Sequence, residues 1–340
     1  MIIEDIQGNK KNKNIPWIEK YRPSTLDEVI SHEEIVSTIK KFNEKNRLPN
    51  LLLYGPPGTG KTSTVIALAK QIYQNKYNQM VLELNASDER GINTVRETIK
   101  GFAESQSFTF TKDKNTSIKL VILDEADAMT AAAQFALRRI IEKYAKSTRF
   151  CFICNHISQI IPAIQSRCTR FKFKQINLDV ASSRIKYICE TENIPLDDQA
   201  IKSVFELCSG DMRRVVNMLQ SLSLSTSNSN LEVINSQYVY QFTGMAHPDL
   251  IKQILEYLMN PSEIQKTYMK IKTILNEQGI SLQLLLTELS TQLLGLNVLN
   301  DKQKCNIIER MAELEYRLSI CCNDQVQLLS LIGIFNEVLL

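Results

Sequence analysis

The amino-acid sequence predicts an α/β domain built on a parallel sheet with helices on both faces, followed by all-helical segments. Three observations predict it. Short apolar or aromatic runs alternate with helical periods up to about residue 175, a rhythm that suits parallel strands joined by crossover helices. Beyond Gln175 the strand-like runs stop and helical periods dominate. Finally, three of the 11 glycines fall between positions 55 and 60, just after an apolar run and just before a helical one.

Taken in order, residues 1–14 are polar and lysine-rich, so they are expected to be disordered; they have neither the apolar stretch nor the cleavage site of a secretion signal. Ile35, Ile39 and Phe42 repeat at helical spacing, as do Leu137, Ile141 and Tyr144. The expected strands are Leu51–Tyr54, Met80–Leu84, Lys119–Leu123, Phe150–Cys154 and Arg170–Phe173. Ser221 to Asn230, SLSLSTSNSN, is rich in Ser and Asn and is expected to be a loop. The expected organisation is a tail at 1–14, an α/β domain at 15–175, a small helical domain at 176–243 and a second helical domain at 244–340. The longest apolar stretch, Ile280 to Leu299, contains Gln283, Glu288, Gln292 and Asn297, so it is expected to be a buried helix and not a membrane span.

At 44% apolar and 23% charged residues, the chain has an ordinary globular composition. With Gly at 11 and Pro at 9 it is neither collagenous nor of low complexity. The net charge of +3 is unevenly spread: residues 1–175 hold 27 Lys and Arg against 18 Asp and Glu, whereas 176–340 hold 13 against 19. A polyanion should therefore meet the first half, although a charged face is more often simply solvated. The 8 cysteines are too sparse for a disulfide scaffold and suit a reducing compartment. Cys151-x-x-Cys154 with His156 and Cys168 has the look of a metal site. However, FCFIC alternates like a strand, which sends the two cysteines to opposite faces and favours buried core thiols.

The run Gly55-Pro56-Pro57-Gly58-Thr59-Gly60-Lys61-Thr62-Ser63 follows LLLY and opens the helical stretch TSTVIALAKQIY. This is the P-loop pattern in its strand–loop–helix setting. Glycines let backbone N–H groups curl around phosphate oxygens, and the helix N-terminus adds its positive end. Lys61 is expected at the β- and γ-phosphates, and Thr62 on Mg²⁺. The apolar run Lys119–Leu123 ends in Asp124-Glu125. Asp124 is expected to hold the Mg²⁺ shell, and Glu125 to orient and deprotonate a water; an acidic helix cap is the simpler alternative. Asn155 ends another apolar run, where its amide can meet the γ-phosphate or the water, or merely make a turn. Arg167, in Ser-Arg-Cys, and Arg213, in Gly-Asp-Met-Arg-Arg, carry the planar fork that suits phosphate charge. Pro162 is placed to start a short helix ending near Arg167, at the rim of the domain.

Together these pieces resemble the AAA+ ATPases with their RecA-like domain, and within them the clamp loaders, above all the small subunits of replication factor C. The resemblance runs from Pro16 onward through PWIEKYRP (16–23), YGPPGTGKTST (54–64), LELNASDERGI (82–92), LDEADAMT (123–130), FCFICN (150–155), SRCTRF (166–171) and SGDMRRVVNMLQS (209–221). ALRRIIEKY, TRFCFICN and AELEYRLS point to one particular small-subunit paralogue. The resemblance implies a nuclear, five-subunit spiral that uses ATP and Mg²⁺ to open a ring-shaped clamp, PCNA, and place it on primer–template DNA in replication and repair. It also implies that Trp17, Ile18, Arg22, Val29 and Ile30 enclose the base, that Asn155 is a γ-phosphate sensor, that Arg213 is a lid arginine, and that Arg167 is a finger offered to the next subunit's ATP. The 176–243 helices would form the lid and the acidic last domain a collar.

Two other readings are open at this level. One is an unfoldase of the same superfamily, although Phe102, Phe108 and Phe110 do not form the small aromatic-apolar-Gly loop that threads peptides. The other is a nucleotide-binding scaffold without turnover, against which Glu125 argues. For DNA, Arg90 opens a helical stretch that continues through Arg96 and Lys100 at four-residue spacing, a stripe that suits duplex phosphates. For the clamp, Gln106-Ser-Phe108-Thr-Phe110 is loosely similar to clamp-inserting peptides, with core packing as the alternative.

Overall fold

In a computed structural model the protein is described over residues 15–29, 32–45, 47–86, 92–105, 118–226, 233–260, 264–296, 298–320 and 323–339. The tail at 1–14, Ile30, Arg90 and the Phe108/Phe110 segment lie outside these residues. The first elements are α1 (Trp17–Lys20), α2 (Glu33–Glu44), β1 (Leu51–Tyr54), α3 (Lys61–Tyr73), α4 (Tyr77–Met80), β2 (Val81–Asn85), α5 (Ile92–Glu104), β3 (Lys119–Asp124), α6 (Ala131–Lys143), β4 (Thr148–Cys154), α7 (Pro162–Gln165) and β5 (Thr169–Lys172). Each expected apolar run coincides with a strand, to within two residues at either end.

The five strands form one parallel sheet in the order β2-β3-β4-β1-β5. Their period of two divides the core. Leu51, Leu53, Leu120, Ile122, Cys151 and Ile153 face one layer, packed with Ile39, Val65 and Leu68 from α2 and α3. Leu52, Val121, Leu123, Phe150, Phe152 and Cys154 face the other, packed with Ile99, Leu137 and Ile141 from α5 and α6. Apolar residues on both faces explain why these strands read as unbroken apolar runs. Cys151 and Cys154 fall into different layers, as strand alternation requires. Burial pushes the Cys154 thiol up to about 12, as expected of a thiol packed in an apolar core.

One charged residue sits inside this sheet. Lys119, at the start of β3, is 5% exposed. Its ammonium donates to the Phe102 carbonyl at 2.7 Å and to the Ser105 Oγ at 2.7 Å, and it also bonds the Ser105 carbonyl. It thereby caps the C-terminal end of α5, where helix carbonyls lack partners.

The remaining helices are α8 (Leu178–Glu192), α9 (Asp198–Leu207), α10 (Met212–Thr226), α11 (Ser236–Thr243), α12 (Pro248–Met259), α13 (Ile264–Gln278), α14 (Leu282–Gly295), α15 (Asp301–Ser319) and α16 (Asp324–Leu339). The chain divides into two compact units, residues 1–195 with 204–230, and 196–203 with 231–340. The loop expected from Ser221 is corrected over its described part, because α10 continues to Thr226. Val215, Leu219 and Leu222 carry the helical apolar period and are fully buried. The serines do not break the helix, because Ser221, Ser223 and Ser225 donate their hydroxyls to the carbonyls of Asn217, Gln220 and Leu222.

The second unit holds its own apolar core from α12 to α16, including Ile254, Ile271, Leu285, Leu289, Ile307, Leu331 and Phe335. The stretch from Ile280 is helix α14, with Leu285, Leu289 and Leu293 fully buried. Among the described residues no helix is long and apolar enough to cross a membrane. Some apolar surface remains outside this core, at Leu294, Val298, Val326 and Leu329.

Candidate nucleotide site

Parallel register brings three loop beginnings to one edge of the sheet. Tyr54 of β1 pairs with Cys154 of β4, and Leu123 of β3 pairs with Phe152 of β4. Gly55, Asp124 and Asn155 therefore emerge side by side at the carboxyl ends of their strands, where open α/β sheets bind ligands. The cleft above them has a volume of about 460 Å³ and lies within the first unit. That volume falls in the range typical of small-molecule pockets.

Its floor is the loop from Pro57 to Ser63. Gly58 and Gly60 have φ of +68° and +91°, a backbone that turns N–H groups inward at little steric cost. Lys61, at the first residue of α3, is 6% exposed. Its Nζ donates to the carbonyls of Gly55 and Pro56, both at 2.7 Å, and to Asn155 Oδ1 at 3.0 Å. Burial lowers its pKa from the ordinary value, and the nearby Asp124 carboxylate opposes that shift. A phosphate would supply the negative charge that a buried ammonium lacks. Thr62 Oγ1 donates to Asp124 Oδ2 at 2.8 Å, so a hydroxyl and a carboxylate oxygen meet at one point, the donor type that Mg²⁺ prefers. Asp124 Oδ1 accepts from the Glu125 amide at 2.9 Å. Glu125 itself adopts left-handed backbone, φ +52°, and lines the cleft.

The walls come from two other segments. Ile18, Glu19, Tyr21, Arg22, Pro23 and Val29 form an N-terminal strap. The strap is fastened to the helices opposite. Lys20 and Tyr21 both bond the Glu192 carboxylate, Arg184 donates to the Tyr21 carbonyl at 3.0 Å, and the Trp17 amide donates to Gln220 Oε1 at 3.1 Å. α8 and α10 supply the last wall, with Val180, Arg184, Met212, Arg213 and Val216. Asp211 Oδ1 accepts from the Arg213 amide at 2.8 Å and caps α10.

Of the residues singled out from sequence, Ile18, Arg22, Val29, Pro57, Gly58, Thr59, Gly60, Lys61, Thr62, Ser63, Asp124, Glu125, Asn155 and Arg213 line this one cleft. Gly55 and Pro56 stand behind it and meet Lys61 through their carbonyls. Trp17 touches the strap's anchor instead of the cleft. Arg167 does not line the cleft. It follows α7, which begins at Pro162 as expected, and precedes β5, at the end of the sheet opposite the P-loop. Its Nη2 donates to Glu142 Oε1 at 2.5 Å and its Nη1 to the Ala163 carbonyl at 2.7 Å. Arg96 and Lys100 lie in α5, and Lys100 is exposed. Sequence reasoning missed Asp127, Arg184, Glu192 and Asp211. Asp127 and Asp211 sit inside motifs already noted, three residues after Asp124 and two before Arg213. Arg184 and Glu192 lie on an ordinary amphipathic helix and left no signal.

Comparison with known proteins places this geometry. Family models match residues 51–176 (ATPase family associated with various cellular activities), 183–224 (RCF1/5-like, AAA+ ATPase lid domain) and 246–333 (replication factor C C-terminal domain). The chain is 45% identical over 329 residues to probable replication factor C subunit 5 of Dictyostelium discoideum, covering 96% of this chain and 92% of the relative. The chain belongs to the replication factor C subunit family. It is 45% identical to the human subunit 5, covering 96% and 93%, and 41% identical to subunit 3 of Saccharomyces cerevisiae, covering 95% and 94%. These are the names of the paralogue to which the sequence segments point. As a replication factor C subunit it is a clamp-loader ATPase that binds nucleotide and works within a multi-subunit complex. Among solved structures the fold is similar to the RuvB Holliday junction branch migration motor of Thermotoga maritima, at TM-score 0.53 and 14% identity, covering 74% of this chain and 85% of that one.

Proposed function

We propose that this subunit binds ATP in the cleft between strap, P-loop and lid helices, and hydrolyses it to drive the opening of PCNA and its placement on primer–template DNA. The observation that carries the reading is the meeting of Lys61, Thr62, Asp124, Glu125, Asn155 and Arg213 around one cleft while Arg167 stands outside it. In this reading Lys61 holds the β- and γ-phosphates, and Glu125 orients and deprotonates the attacking water. Asn155 donates to the γ-phosphate or that water, and Arg213 reads the bound phosphate from the lid. Ile18, Arg22, Val29 and Ile30 enclose the base. Thr62 and Asp124 would hold Mg²⁺, which supplies neutralising charge on the phosphates.

The domains are 15–175 for the ATPase, 176–243 for the lid and 244–340 for a collar, and the complex is a nuclear heteropentamer. Arg90, Arg96 and Lys100 track duplex phosphates without sequence preference, and Phe108 and Phe110 anchor the clamp. The DNA part is checked by salt titration: Arg96→Ala with Lys100→Ala weakens binding to all sequences alike and flattens the salt dependence by roughly one unit of slope per lost contact. An unchanged slope removes these residues from the interface.

Arg167 is the finger for the neighbouring subunit's ATP. Its distance supports this: β5 runs parallel to β1 and rises about 3.3 Å per residue, away from Arg167 and toward the P-loop end. In an otherwise wild-type complex, Arg167→Ala should leave ATP bound beside Lys61 and slow hydrolysis at the adjacent site by about 10³ or more. Lys61→Ala should empty its own site. If Arg167→Ala empties the Lys61 site, or leaves hydrolysis everywhere unchanged, the assignment in trans is wrong.

A further inference from the structure

Asp127 belongs to no motif role derived above, yet its carboxylate makes a specific connection. It lies in the 3-10 turn Ala126–Ala128, directly after Asp124 and Glu125. Its Oδ2 accepts from two consecutive backbone amides, Asn155 at 2.9 Å and His156 at 3.1 Å. These are the first two amides beyond the end of β4. The ladder of β4 with β1 ends at Cys154, and its ladder with β3 ends at Phe152. Among the described residues neither ladder extends to the next N–H groups, and one carboxylate oxygen takes both. Two bonds of ordinary length onto one oxygen tie the start of this loop to the turn that carries Asp127.

We propose that Asp127 is the positioning residue for Asn155 and sets the direction of its side-chain amide in the cleft. The chain of contacts runs without a break. Asp127 holds the Asn155 backbone, Asn155 Oδ1 accepts from Lys61 Nζ at 3.0 Å, and Lys61 rests on the Gly55 and Pro56 carbonyls. Because an ammonium only donates, the Asn155 oxygen is the atom committed to Lys61, which leaves its NH₂ as the donor for phosphate or water. The turn that carries Asp127 also aims Glu125. The Ala128 amide donates to the Glu125 carbonyl at 2.9 Å, and Glu125 sits in left-handed backbone at the head of the turn. One hydrogen-bonded turn thus holds Glu125 on one side and Asn155 on the other, so their spacing is set locally. Pre-set geometry of this kind matters because a displacement near 1 Å costs on the order of a hundredfold in rate.

This inference rests on the reading of Asn155 as a group acting on the γ-phosphate or the water, and the experiment separates the two. Complexes are assembled in which only this subunit's site can hydrolyse ATP. The subunit is wild type, Asp127→Ala, Asp127→Asn, Asn155→Ala or the double variant Asp127→Ala/Asn155→Ala. Single-turnover hydrolysis and ATP affinity are measured at that site. The expected result is that Asp127→Ala slows hydrolysis roughly tenfold to a hundredfold while affinity changes far less. Asp127→Asn keeps one acceptor oxygen and should recover most of the rate, and the retained ATP affinity of Asp127→Ala shows that the fold survives the loss of the carboxylate. The double variant should be no slower than Asn155→Ala alone, a coupling that a merely structural role would not produce. Hydrolysis at the wild-type rate in Asp127→Ala, losses that multiply in the double variant, or affinity falling as far as the rate would each overturn the proposal. If Asn155→Ala hydrolyses normally, the sensor reading fails first and takes this inference with it.

Discussion

Gly58 shows how one residue serves two surfaces. Its positive φ curls the phosphate loop, and its bare Cα faces the helix cap across the cleft. A Cβ built there would lie 1.8 Å from Asp211 Oδ1 and 3.0 Å from the Asp211 Cα. Gly58→Ala therefore meets both backbone strain, of about 1–3 kcal/mol, and a steric clash with the cap of α10. We expect weaker ATP binding and a lower melting temperature. Adding Asp211→Ala should restore part of the affinity, since it removes the side-chain clash while the strain and the tight approach to the Asp211 Cα remain. Titration with a fluorescent ATP analogue checks both variants, and equal affinity in the single and double variants would show that the clash is irrelevant. Arg167 makes the opposite case. Its pairing with Glu142 is on the surface, where ion pairs contribute little, so Arg167→Ala should leave the melting temperature nearly unchanged even where hydrolysis at the neighbouring site collapses.

At the level of elements, the link between β3 and α5 is a buried lysine. Lys119 is held by carbonyls and a hydroxyl at the end of α5, with its ammonium 5.0 Å from the Phe102 ring centroid. Burial lowers its pKa. Lys119→Met keeps much of the apolar stem and removes the donors, stranding acceptors at a cost of about 1–3 kcal/mol. The expected consequence is faster hydrogen exchange in the last turn of α5, around Phe102 to Ser105, with little change in the first turn of α3. Uniform acceleration across the unit would instead mean global destabilisation. The same end of β3 that anchors α5 leads, five residues on, to Asp124, so this strand joins the helix proposed for DNA to the acidic pair.

For the whole molecule, the two compact units have separate cores, and each should answer to its own mutations. Phe335, fully buried in the core of α12 to α16, should cost about 3–5 kcal/mol when changed to Ala. Chemical denaturation followed by two probes tests this. The transition reported from the second unit should move to lower denaturant, while that of nucleotide bound at Lys61 should stay. Loss of both together would show that the units unfold as one. The charge asymmetry has a different boundary: the excess of Lys and Arg falls in residues 1–175, and the excess of Asp and Glu in residues 176–340, lid helices included.

The sheet, its two-sided burial and the phosphate loop are legible in the amino-acid order, because they depend on local chemistry. A strand buried on both faces must be apolar at every position, a loop wrapped around phosphate must have glycines, and a lysine and a hydroxyl must follow at fixed spacing. Ser221–Thr226 was misread for the converse reason. Composition suggested a loop, but the buried period of Val215, Leu219 and Leu222 and the serines' bonds to preceding carbonyls keep it helical. Contacts between residues far apart in the chain come into being only in the folded molecule. Strap and helix meet through Tyr21 and Glu192, Lys119 finds the end of α5, and Asp127 takes the two amides that follow β4. No local period encodes such pairings, because each partner is an ordinary polar residue on its own segment. Its role exists only once folding has brought an unsatisfied donor and a lone acceptor within hydrogen-bond reach.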